Sequence, residues 1–125
     1  MKNLVLITTL LVLIACKQEN IIHIKLQETY GLQVTNELQY DGKKVGEISE
    51  IKLFDRGRSI LATAKLNEEV EIPINSEFEV VASDIIGTKI IEIRYSKKSH
   101  FYHANDTVSA FYFDPTEGLI EDLID

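Results

Sequence analysis

From Ile21 onward, apolar side chains recur at every second position in short runs. That periodicity constrains the fold more than any other feature of the chain. Ile22, Ile24 and Leu26 alternate with His23, Lys25 and Gln27, the pattern of a half-buried strand. The same alternation returns in Ile60, Ala62, Ala64 and Leu66, in Phe78, Val80 and Ala82, and in Ile91, Ile93 and Tyr95. Glu37 to Tyr40 makes a short strand that ends at Asp41-Gly42, a strong hairpin turn signal. The strand from Lys44 to Phe54 follows, and its apolar parity shifts between Ile48 and Ile51. The shift predicts a bulge near Ser49 and Glu50 that bends the strand. Asp55 to Arg58 turns the chain again. Glu68, Glu69 and Glu71 lead into Ile72-Pro73-Ile74-Asn75, where the proline excludes a central strand. Thr107 to Phe113 reads as a last strand, apolar on both faces.

Seven short strands with turn signals between them predict an all-β fold, a small sandwich or barrel. Closure into a barrel removes exposed strand edges. The 125 residues suffice for one domain. After the last strand, Asp114-Pro115-Thr116-Glu117 has the form of a helix start. Leu119, Ile120, Leu123 and Ile124 give that short C-terminal helix one apolar stripe, and it needs a surface to pack on.

The N-terminus has a different character. The run from Leu4 to Ala15 follows Lys2 and is apolar apart from two threonines. It is shorter than the roughly 20 residues of a membrane-spanning helix and reads as a secretory signal. Leu13-Ile14-Ala15-Cys16 resembles the bacterial lipobox, in which the cysteine is lipidated. A plain signal with an incidental cysteine is the alternative. Cys16 is the only cysteine, so no internal disulfide can form. The expected organisation is a lipoprotein signal peptide over 1–15, a tether over 16–20, the β-domain over 21–113 and the helix over 114–125.

The chain carries 13 basic and 20 acidic residues, a net charge of −7. Losing residues 1–15 would remove only Lys2 from that count. The balance argues against a nucleic-acid partner, which needs clustered Lys and Arg. It argues equally against attachment of the chain to anionic membranes by net charge. No glycine-rich phosphate loop and no Gly-x-Ser-x-Gly elbow occurs, and no enzyme activity or cofactor is expected. His100-Phe101-Tyr102-His103 is the one metal-like spacing, but zinc takes at least three protein ligands as a rule. These histidines read as solvated residues of a polar hairpin tip, Ser96 to Asp106. Phe101 and Tyr102 either fold back on that hairpin or touch a membrane or partner. Asn105-Asp106-Thr107 matches the glycosylation pattern by chance. Glu68, Glu69 and Glu71 read as a solvated acidic loop.

Ser83-Asp84-Ile85-Ile86-Gly87-Thr88-Lys89 sits where a turn belongs, yet holds two large β-branched apolar residues. Either Ile85 and Ile86 extend the core at a strand end, or they are exposed for a purpose.

Several stretches together resemble the mammalian-cell-entry (MCE) domain family, in its MlaD-like lipid-transport form. Gly31-Leu32, then Leu38-x-Tyr40-x-Gly42-x-x-Val45-Gly46-x-Ile48-x-x-Ile51, is similar to the family's opening signature. Ile72-Pro73 with the strand ending at Ala82 resembles its middle section. Ile85-Ile86-Gly87-x-Lys89-Ile90-Ile91-Glu92-Ile93 resembles its most recognisable stretch. Asn105-Asp106-Thr107-Val108 resembles a turn near its end, and Glu121-Asp122-Leu123-Ile124 the start of its following helix. The likeness spans Ile21 to Asp125.

The resemblance implies a seven-stranded β-barrel that assembles as a homo-hexameric ring. It implies ABC transporter permease and ATPase subunits as partners, and phospholipid as the ligand moved across the bacterial envelope. The ring's centre would be lined by an apolar loop, here Ser83 to Thr88, with Ile85, Ile86 and Gly87 as the pore and lipid-contact residues. Two departures stand out. The family usually anchors by a transmembrane helix, where this chain offers Cys16, and many members continue into longer helices. The expected protein is a lipid-anchored component facing the periplasm, from either the inner or the outer membrane. The alternative is a lipid-anchored β-barrel adaptor that binds a protein and carries no lipid.

Overall fold

The computed structural model describes residues 19–113, together with Lys2, Asn3 and Val5. The Cys16 lipobox and the expected helix over 114–125 lie outside the described residues. Seven strands follow one another: β1 (Ile21–Leu26), β2 (Glu37–Tyr40), β3 (Lys43–Phe54), β4 (Ser59–Leu66), β5 (Glu77–Ala82), β6 (Lys89–Arg94) and β7 (Thr107–Tyr112). They form a closed barrel in the order β1-β4-β3-β2-β6-β5-β7. Four ladders are antiparallel. Three short parallel seams complete the circle: β2 with β6, β5 with β7, and β7 with β1. The last seam joins His23, Ile24 and Lys25 to Thr107, Val108 and Ser109. Closure therefore lies wholly within Ile21–Tyr112.

The alternating residues supply the core. Ile22, Ile24, Leu26, Leu38, Phe78, Val80, Ile91 and Ile93 are all buried in the interior. Each such apolar side chain contributes about 1.5–3 kcal/mol on burial. β3 is bent at two places. Its register against β4 shifts between Ile48 and Glu50, leaving Ser49 as the extra residue, and the Ser49 hydroxyl donates to the Thr63 carbonyl at 3.2 Å. Against β2 a second shift leaves Val45 unpaired, between Gly46 opposite Leu38 and Lys44 opposite Gln39. The sequence predicts the first bulge and not the second.

One expectation needs correcting. Ser96 to Asp106 is not a hairpin tip, because β5 lies between β6 and β7. The segment crosses the barrel end and pairs with the proline-bearing connection instead. Phe101 bridges Pro73. The Tyr102 amide donates to the Ile72 carbonyl and the Ile74 amide to the His100 carbonyl, both at 2.9 Å. Pro73 has no N–H to offer, so the ladder uses its neighbours' amides. The Tyr102 ring lies 6.3 Å from that of Phe78, and its hydroxyl accepts from the Asn75 amide at 3.1 Å. Tyr102 thus caps the core from a segment distant in sequence. β7 also stops at Tyr112, one residue before the expected end.

Candidate functional site

The β5–β6 ladder runs out to Ala82 opposite Lys89, so the intervening loop is six residues long. It is held by its own polar groups. The Ser83 amide donates to the Thr88 carbonyl at 2.8 Å, and the Ser83 hydroxyl reaches the same oxygen at 3.2 Å. The Asp84 carboxylate accepts from the Thr88 amide at 3.0 Å. That backbone hydrogen bond, then one from the Thr88 side chain, holds the Asp84 carboxyl below its ordinary range. Hydrogen bonds to the charged form favour it, so the clasp is an ionised one at neutral pH. Gly87 sits at a φ of +91°, a left-handed backbone that side chains other than glycine adopt rarely.

The clasp leaves the tip's apolar side chains in water. Ile85 is fully exposed and Ile86 is 92% exposed. The pair does not extend the core, which corrects one of the two readings of this stretch. Fully burying such a side chain would release about 1.5–3 kcal/mol, so each stands ready for an apolar partner. Ile85, Ile86 and Gly87 are adjacent, as the sequence requires, and the loop is ordered by Asp84 and Thr88.

The foot of the loop rests on contacts invisible in the sequence. The Lys89 ammonium lies 5.2 Å from the centre of the Tyr112 ring. Tyr112 stacks on Tyr30 with centroids 4.7 Å apart and planes 3° from parallel. Those three residues tie β6, β7 and the β1–β2 connection together beneath the loop. The β5–β7 seam brings Tyr112 beside the foot of β6, and the β7–β1 seam brings it to Tyr30.

Strand direction fixes what shares this end of the barrel. β1, β3, β5 and β7 finish here, and β2, β4 and β6 start here. Leu53, Phe54, Phe111 and Phe113 are exposed at the same end as Ile85 and Ile86. The N-terminus of β1 and the Ser96–Asp106 segment lie at the other. His100 and His103 are there, with the His103 amide bonded to the Asp106 carboxylate at 2.7 Å. Among the described residues no group of three metal-ligating side chains forms. Glu68, Glu69 and Glu71 are exposed.

A closed seven-stranded barrel with mixed pairing and an apolar loop between β5 and β6 defines a small MCE-type domain. The MlaD protein family model matches residues 18–96, and the chain belongs to that family. Among solved structures, a chain of the Acinetobacter MlaFEDB complex in an ATP-bound conformation is similar, with a TM-score of 0.71 and 12% identity. The alignment covers 96% of this chain and 94% of that one; at that identity the likeness is one of fold. No curated protein matches this chain.

Proposed function

We propose that this chain is a lipid-transfer component of a bacterial envelope transport system, and that it works without catalysis. The observation that carries this reading is the exposure of Ile85 and Ile86 on an internally clasped loop of an MlaD-family barrel. In an assembled ring the copies of this loop converge. Their isoleucines then line a constriction that acyl tails can pass and hydrated ions cannot, because an ion would lose its water without compensation. Gly87 lets the backbone turn behind the pair. The ring is a homo-hexamer acting with ABC permease and ATPase subunits on phospholipid. Cys16 carries the acyl anchor, with each buried methylene of that anchor adding about 0.8 kcal/mol, and residues 21–113 face the periplasm.

The test is the double substitution Ile85→Asp with Ile86→Asp. Both sites are solvated, so folding stability should change by less than about 0.5 kcal/mol each. Passage of fluorescent phospholipid between donor and acceptor vesicles through the assembled complex should be abolished. Transfer at the wild-type rate with a normally folded barrel would refute the channel.

A further inference from the structure

The β3–β4 connection is the second unusual feature at the loop-bearing end. Residues 52–58 are all exposed. Leu53 is 71% exposed and Phe54 41%. Register sets them on opposite faces: Leu53 is opposite Ile60 on the interior side, beyond the core, and Phe54 is opposite Ser59 on the outer side. A hairpin tip that met only water would gain nothing from apolar groups on both faces.

The charges around it are equally particular. Lys52, Arg56 and Arg58 lie in the tip with Asp55 as its one acid. From β1, Lys25 adds its ammonium 5.7 Å from the centre of the Phe54 ring. Three cations elsewhere in the barrel are paired, Lys44 with Glu47, Lys65 with Glu19, and Arg94 with Glu77 and Glu79. Lys43, Lys89, Lys97 and Lys98 have no ion pair among the described residues but are not clustered beside exposed Leu53 and Phe54. Lys25, Lys52, Arg56 and Arg58 have no ion pair among the described residues. The turn also fixes its shape, with Asp55, Arg56 and Gly57 in succession at φ of 52°, 59° and 82°. A bulky residue such as Arg56 adopts that conformation rarely. The arginine is thereby displayed on a defined turn, closed by the Gly57 and Arg58 amides bonding back to Phe54 and Asp55.

Two apolar side chains framed by four unpaired cations match one kind of surface, the interface of an anionic lipid bilayer. There the apolar groups enter the acyl boundary and the cations meet headgroup phosphates. We infer that the β3–β4 tip docks the barrel on an anionic lipid surface. The net charge of the chain is −7, so the whole molecule is repelled by such a surface while the tip is drawn to it. That difference orients the barrel with the loop-bearing end toward this lipid. Because β1 starts at the other end, the surface is one apart from the bilayer patch that would hold an acylated Cys16. The tip and the Ile85–Ile86 loop stand three strand positions apart in the seven-strand circle, so they rim one mouth from opposite sides. The inference rests on the tip's own side chains and holds whether or not lipid passes the loop.

The test uses the Cys16→Ser chain without residues 1–15, which retains the whole closed barrel. It is sedimented with vesicles of phosphatidylcholine alone and of phosphatidylcholine doped with phosphatidylglycerol. Binding should require phosphatidylglycerol and weaken with salt. Arg56→Gln with Arg58→Gln should lower partitioning roughly 30-fold, from two lost surface charges. Leu53→Asn should lower it as well, with unchanged melting in both variants because neither site touches the core. Equal binding to both vesicle types, or no effect of the arginine pair, would overturn the inference. So would tip-dependent capture of an acidic protein by a chain that ignores both vesicles.

Discussion

Asp84 sets the geometry of the six-residue loop that exposes Ile85 and Ile86. Its carboxylate binds the Thr88 amide, and its folded pKa lies below the ordinary 3.8. A depressed acid stabilises the folded loop above the unfolded value and loses that stabilisation as pH falls through the folded one. The Thr88 amide resonance should therefore titrate with a midpoint below 3.8, measured by NMR. A midpoint at or above that value would mean the clasp is not made. The parts of this loop were legible in Ser83-Asp84-Ile85-Ile86-Gly87-Thr88, because turn residues act locally. Tyr30 and Tyr112 were not, since no local pattern marks a stack between residues joined only by barrel closure.

β3 shows where strand-level reading succeeds and where it stops. The Ser49 bulge was visible because it moves apolar side chains from one parity to the other. The Val45 bulge was silent: Val45 is apolar and buried, and its neighbour Gly46 has no side chain to reveal a face. Gly46 is required for a steric reason. A Cβ there would stand 2.6 Å from the Lys65 carbonyl oxygen and 3.1 Å from the Leu66 Cα. Both obstacles are backbone, which yields little. Gly46→Ala should cost about 1–3 kcal/mol, read as a lower denaturant midpoint at unchanged slope. A midpoint equal to wild type would show that β4 can move aside. The reading of Ser96–Asp106 as a hairpin failed for a related reason. Short polar segments between two strands look alike whether the strands pair or a third lies between them.

At the scale of the whole molecule, the two ends of the barrel differ. One exposes Leu53, Phe54, Ile85, Ile86, Phe111 and Phe113, the other Tyr40 and Phe101. Alternation predicted strands and left a sandwich or a barrel open, and the family resemblance implied the barrel. Neither gave this polarity, because it depends on which strands run parallel. An apolar end of this kind favours assembly. Native mass spectrometry of the soluble Cys16→Ser chain should detect hexamers carrying phospholipid-sized adducts. A lipid-free monomer at every concentration would instead indicate a chain that does not self-assemble in solution.

The seam between β1 and β7 has a mechanical consequence. The first and last strands are neighbours, parallel, and joined over three residue pairs. One chain end leaves from each mouth. A pull between the two ends slides these strands along each other, so the hydrogen bonds of the seam resist together instead of opening one at a time. Tension along the barrel axis would fall first on His23–Lys25 and Thr107–Ser109, and the barrel would act as a clasp that resists sliding far better than peeling.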